Sequence, residues 1–162
     1  MNASPQDIIS TECDAVTGLI VGGIDASIGE FPHMAAIGYR NFDGDLSFKC
    51  GGSLISDYFV LTAAHCSTAD RTAPTDVRLG DLNLKVKNKN EIDIAIDSFI
   101  SHEQYNAGTR ENDIALIKLA QQVIFNKFIR PACLQQTDVD AKKRIVATGW
   151  GMNIEGVAGR FS

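Results

Sequence analysis

The chain has no apolar run approaching the ~18 residues that a helix needs to cross a bilayer, and its opening residues, MNASPQDIISTE, offer neither a basic start nor an apolar core. Neither a membrane-spanning helix nor a secretory leader is visible. It also lacks any cluster of lysines and arginines set among aromatics. With 15 basic against 20 acidic residues and a formal charge of -5, no nucleic-acid or membrane partner is expected. Low-complexity tracts and internal repeats are missing, and 44% apolar with 22% charged residues is the composition of a folded domain rather than a disordered one. At 162 residues there is material for one domain that buries roughly two thirds of the surface its unfolded chain would expose.

No C-x-x-C pair occurs either. The four cysteines, Cys13, Cys50, Cys66 and Cys133, fit two disulfides or a metal site by number alone. A zinc site drawing one ligand from each of four remote segments would be unusual, which favours disulfides and an oxidising, extracellular setting. With no leader visible, the expectation is a processed or partial form of a secreted protein.

What the sequence does have is a period of two. IDIAIDSFI alternates Ile92, Ile94 and Ile96 with Asp93, Ala95 and Asp97, and IALIKL sets Ile114, Leu116 and Lys118 against Ala115, Ile117 and Leu119. Half-buried strands are the natural reading. HMAAIGY, SLISDYFVLTA with a turn at Ser56 and Asp57, DVRLGDLNL and RIVATGW follow the same style, each flanked by Gly, Asp, Asn or Pro. The one helical candidate is a turn around Thr62 to Cys66. KVKNKN at 85–90 and QQTDVDAKKR at 135–144 read as loops. Many short strands at this spacing predict an all-β antiparallel barrel or sandwich.

VLTAAHC at 60–66 puts His65 at the end of an apolar strand, and NDIALIKL at 112–119 puts Asp113 at the mouth of another. An imidazole titrates near neutral pH and can take and return a proton, though a lone histidine says little. A carboxylate beside an apolar strand calls for a charged or strongly donating partner. An imidazole would serve, and the carboxylate would fix its tautomer and stabilise the imidazolium formed in proton transfer. His33 in FPHMAAIGY and His102 in SHEQY read as packing or surface residues.

IVGG (20–23), CGGSLIS (50–56), VLTAAHC, NDIALIKL, RPACL (130–134) and ATGWG (147–151) together resemble the trypsin/chymotrypsin family of serine endopeptidases, in the family's order. The resemblance implies a double six-stranded antiparallel β-barrel, with the first barrel nearly complete here and the second truncated. It implies that His65 is the general base and Asp113 its orienting partner. It pairs Cys50 with Cys66 and, as in members that retain a pro-segment, Cys13 with Cys133. Residues 1–19 are then a pro-segment or light-chain remnant and residues 20–162 a partial protease domain. The TECDAVTGLIVGG context is similar to the arthropod clip-domain proteases of haemolymph cascades. The partners this implies are protein substrates, an upstream activating protease and a serpin-type inhibitor.

Two departures stand out. Activation in this family cuts before the residue corresponding to Ile20, often after Arg or Lys, and here the preceding residue is Leu19. An activating protease that prefers an apolar side chain is the favoured reading over a protein that is never activated. The family's GDSGGP stretch, with its nucleophile, does not occur in these 162 residues. Ser53 reads as a strand position and Ser162 lacks flanking glycines, so neither substitutes. Residues 81–91 resemble the loop where some members bind calcium, but Lys85, Lys87 and Lys89 interrupt it, and a calcium site needs negative oxygen density. A solvated loop is favoured over a calcium site there, which stays the alternative, and no other cofactor is expected. The reading is therefore a secreted serine endopeptidase present as a part without its nucleophile, inactive and poorly soluble alone. Two alternatives stand beside it: a non-catalytic serine protease homologue acting as a binding partner or cofactor, and a naturally truncated product.

Overall fold

The computed structural model describes residues 26–69, 71–136 and 146–150. Six strands, β1 (Met34–Arg40), β2 (Leu46–Leu54), β3 (Phe59–Thr62), β4 (Asp76–Leu79), β5 (Ile92–Ser101) and β6 (Ala115–Leu119), close into an antiparallel barrel in the order β1-β2-β3-β6-β5-β4. Closure pairs each of the six strands on both sides, which removes the edges that an open sheet would offer for aggregation. The first barrel of the expected pair is thus complete. The second is not represented among the described residues.

Alternation explains most of the strands. In β6, Ala115, Ile117 and Leu119 point inward while Lys118 is exposed and Leu116 only partly covered. β5 begins the same way, with Ile94 buried between exposed Asp93 and Ala95, but a register shift between Ile96 and Ser98 breaks the phase. A bulge of this kind inserts one residue into one strand. Past it Phe99 packs on the core and Ile100 is left 49% exposed. β1 departs differently: Ala35 to Tyr39 are all buried, because the strand is covered on both faces.

The inward residues meet in one core, including Ile37, Tyr39, Leu54, Val60, Val77, Leu79, Ile117 and Ile129. The two glycines of CGGSLIS serve the close pairing of β2 with β3. A Cβ on Gly52 would lie 2.7 Å from both the Leu61 carbonyl oxygen and Val60 Cγ1. The predicted turn at Ser56 is present, its Oγ accepting hydrogen bonds from the amides of Tyr58 and Phe59. The helical turn predicted around Thr62 to Cys66 is displaced: Thr62 ends β3, and a 3-10 turn spans Ala64–Ser67. Tertiary pairing of Thr62 with Ala115 of β6 carries the strand into the predicted turn. Residues 85–90 are a loop as expected. Of RIVATGW, residues 146–150 are described and contribute to none of the six strands.

Candidate active site

His65 sits in the 3-10 turn at the end of β3, where the chain must leave the barrel wall. Three ties hold that turn. Cys66 is joined to Cys50 of β2 in a disulfide with a Cα separation of 6.1 Å. The Tyr39 hydroxyl, at the end of a side chain only 1% exposed, donates to the Cys66 carbonyl at 2.6 Å. Burial pushes that phenol up to about 12, so it stays a donor throughout the working pH range. Thr62 Oγ1 donates to the Gly51 carbonyl at 2.8 Å, pinning the strand just before the turn. The sequence assigns no role to Tyr39; its only signal is an aromatic residue in an apolar strand.

Asp113 is delivered by the loop that precedes β6. Asn112 holds left-handed backbone (φ 55°), a region Asn tolerates better than most residues, and its Nδ2 donates to the Gln104 carbonyl at 3.0 Å. The Ile114 amide closes back on the Asn112 carbonyl at 2.8 Å. The chain therefore kinks at Asp113 and turns its carboxylate toward His65, 48 residues away in sequence.

Both carboxylate oxygens are engaged by the same residue. The His65 amide donates to Asp113 Oδ1 at 2.8 Å, and His65 Nδ1 lies 2.7 Å from Asp113 Oδ2. An ionised carboxylate only accepts hydrogen bonds, so Nδ1 carries the proton and Nε2 is left with a free lone pair. The hydrogen bond from His65 is the largest cause holding the Asp113 carboxyl below its ordinary value, with the Arg110 charge a smaller contributor. The ring is 45% exposed and the carboxylate 24%. The pair is therefore preset as a proton acceptor whose tautomer is fixed from behind and whose reactive nitrogen can be approached from outside.

The other residues singled out from the sequence sort simply. Ser53 lies in β2. His33 is half-buried with Phe31 edge-on at 6.4 Å between ring centroids, and burial lowers its imidazole below the ordinary value. His102 is exposed and its Nδ1 accepts from the Gln104 amide. Ligand-type atoms of Cys50, His65 and Cys66 lie within 4.8 Å of one another, but the two sulfurs are bonded to each other and offer no thiolate. Cys133 is engaged in a disulfide. Cys13, Leu19 and Ile20 lie outside the described residues. Beside the disulfide a cavity of about 580 Å³ runs along β2, lined among others by Phe48, Lys49, Gly51 and Trp150.

The family model described as Trypsin matches residues 20–158. The chain is 41% identical over 144 residues to serine protease snk of Drosophila melanogaster, covering 86% of this chain and 33% of that protein. It is 39% identical over 160 residues to phenoloxidase-activating factor 3 of Holotrichia diomphalia, covering 87% of this chain and 45% of that one. Among solved structures, the Drosophila Grass clip serine protease of the Toll pathway superposes with a TM-score of 0.66 at 30% identity, over 78% of this chain and 39% of the other. The chain spans less than half the length of each of these three.

Proposed function

This chain belongs to the trypsin family, and on that footing we propose that it supplies the general base and the orienting carboxylate of a secreted serine endopeptidase of the clip-protease cascade type. The observation that carries the reading is the double hydrogen bond from His65 to Asp113, through the amide and through Nδ1. With Nδ1 protonated and held, Nε2 takes the proton of a serine hydroxyl as that oxygen attacks a peptide carbonyl. It then returns the proton to the leaving amine. Asp113 stabilises the imidazolium in between and stays ionised, because its hydrogen bonds favour the charged form.

No GDSGGP stretch occurs in these 162 residues; in this reading the serine and the oxyanion donors come from a further part of the full-length protein, and residues 20–162 alone do not hydrolyse peptides. Residues 1–19 act as a pro-segment tied on by a Cys13–Cys133 bridge, and an upstream protease that accepts an apolar side chain cuts between Leu19 and Ile20. Substrates are other proteins of an extracellular cascade, and a serpin-type inhibitor is the expected regulator. Neither nucleic acid nor membrane is a partner.

The test is peptide hydrolysis by the full-length protein after cleavage at Leu19–Ile20. Activity that disappears in His65→Ala supports the enzyme. A folded, correctly cleaved protein without activity supports the second reading, a non-catalytic homologue that binds other cascade proteins.

A further inference from the structure

The loop at 81–91 resembles a calcium loop in outline, and its two acidic ends do converge. The Asp81 side chain is 1% exposed and that of Glu91 7%. Asn88 clips them together, its Nδ2 donating to Asp81 Oδ1 at 2.9 Å and to Glu91 Oε2 at 3.2 Å. Buried carboxylates at this separation repel each other and need a cation.

The chain already places one there. Arg78 on β4 faces Asp93 on β5 in direct cross-strand register and grips it with two hydrogen bonds of 2.7 and 2.8 Å. The third nitrogen of the fork, Nη1, lies 3.5 Å from Asp81 Oδ2 and 3.6 Å from Glu91 Oε1. Its side chain is 16% exposed and covers the Phe48 ring, with Cζ 4.7 Å from the centroid, so packing fixes the guanidinium where it stands. Among the described residues Asp81 Oδ2 is buried without a hydrogen bond, and it faces the charge of Nη1 at 3.5 Å. Lys85, Lys87 and Lys89 are all exposed and not inserted between the acids. They add positive potential around the loop that opposes a divalent ion within a Debye length.

We propose that the Arg78 guanidinium is the built-in cation of this loop, standing between Asp81 and Glu91 where calcium would otherwise bridge them, so that the barrel keeps its loop closed without a metal. The residues present do not suit calcium as well: of the oxygens it would use, Asp81 Oδ2 and Glu91 Oε1 both already face Nη1. The inference concerns folding of the barrel and stands whether or not the protein proves to be a peptidase.

The test is thermal unfolding of the full-length protein and its Arg78→Gln variant, each in chelator and in millimolar calcium. The wild type is expected to melt at one temperature in both buffers. Arg78→Gln is expected to melt lower in chelator by on the order of 10 °C, and calcium is expected to restore most of the loss, because three carboxylates then lack their cation. A wild type that calcium stabilises, or an Arg78→Gln variant that calcium leaves unchanged, overturns the proposal. Should Arg78→Gln fold in neither buffer, Arg78→Lys decides. A single ammonium cannot serve Asp93, Asp81 and Glu91 together, so a calcium-dependent gain in its melting temperature supports the proposal and no response overturns it.

Discussion

At the level of single residues the proposed chemistry rests on Asp113 accepting twice from His65. Asn in its place keeps the shape but not the pattern. An amide has one acceptor oxygen and one donor nitrogen, so either the His65 amide or Nδ1–H loses its acceptor. If the ring flips its proton to Nε2, it can no longer act as base. Asp113→Asn in the activated full-length protein is therefore expected to lower kcat by ~10⁴, the fall known for this substitution in a Ser-His-Asp triad, with little change in KM. A KM effect with kcat preserved would show that Asp113 serves binding and not proton transfer.

Two titrations separate the residues by pH. His33 has its imidazole lowered from 6.5 by burial. The unfolded chain thus binds a proton first as pH falls through 6.5, and stability is lost there. Asp113, like Asp76 and Asp97, is lowered from 3.8; their contributions are present above that value and disappear only as pH falls below it. Melting temperature is expected to decline in two stages on acidification, and His33→Phe should remove the upper stage alone. A single transition near pH 4 in both proteins contradicts the role given to His33.

Among the elements, the strands and the His65–Asp113 pair are legible in the sequence for different reasons. Strands β5 and β6 announce themselves by alternation, since one face meets the core and the other water. His65 and Asp113 are found by their motifs and not by spacing, because 48 residues of separation carry no local signal. The bulge after Ile96 is invisible, as it depends on how β5 meets Lys118 and Leu119 of its neighbour. The three lysines of KVKNKN look decisive against calcium, whereas the cation that matters, Arg78, lies outside that run on the preceding strand. Only cross-strand register brings it to Glu91 and Asp93.

The same loop gives a prediction for an element as a whole. Gly80 leaves β4 in left-handed backbone (φ 71°), and a Cβ there would lie 2.5 Å from the Asn90 carbonyl oxygen. Gly80→Ala incurs both the left-handed cost of ~1–2 kcal/mol and a clash with backbone that cannot step aside. Its loss of stability should exceed about 2 kcal/mol by denaturant titration. An Ala variant as stable as the wild type would mean that the loop is not held as described.

For the molecule as a whole, barrel closure answers one expected liability and leaves another. No edge among the six strands is open, yet an apolar cavity of about 650 Å³ lies on the outer wall, lined by Leu61, Ile100, Ile114 and Leu116 among others. Ile100 and Ile114 are 49% and 47% exposed. Exposed apolar patches of this kind drive association. The 162-residue chain is therefore expected to self-associate on size-exclusion chromatography, and Ile100→Lys to shift it toward monomer without lowering its melting temperature. Unchanged elution would place the cause of association elsewhere.

The central proposal is that this barrel supplies, in His65, the general base for a serine. That is checked by treating the full-length protein, cleaved at Leu19–Ile20, with a fluorophosphonate probe and mapping the labelled residue. One labelled serine outside residues 1–162 is expected, with labelling abolished by His65→Ala. A cleaved and folded protein that takes up no probe, or one whose labelling is indifferent to His65, would show that the base has no serine to serve.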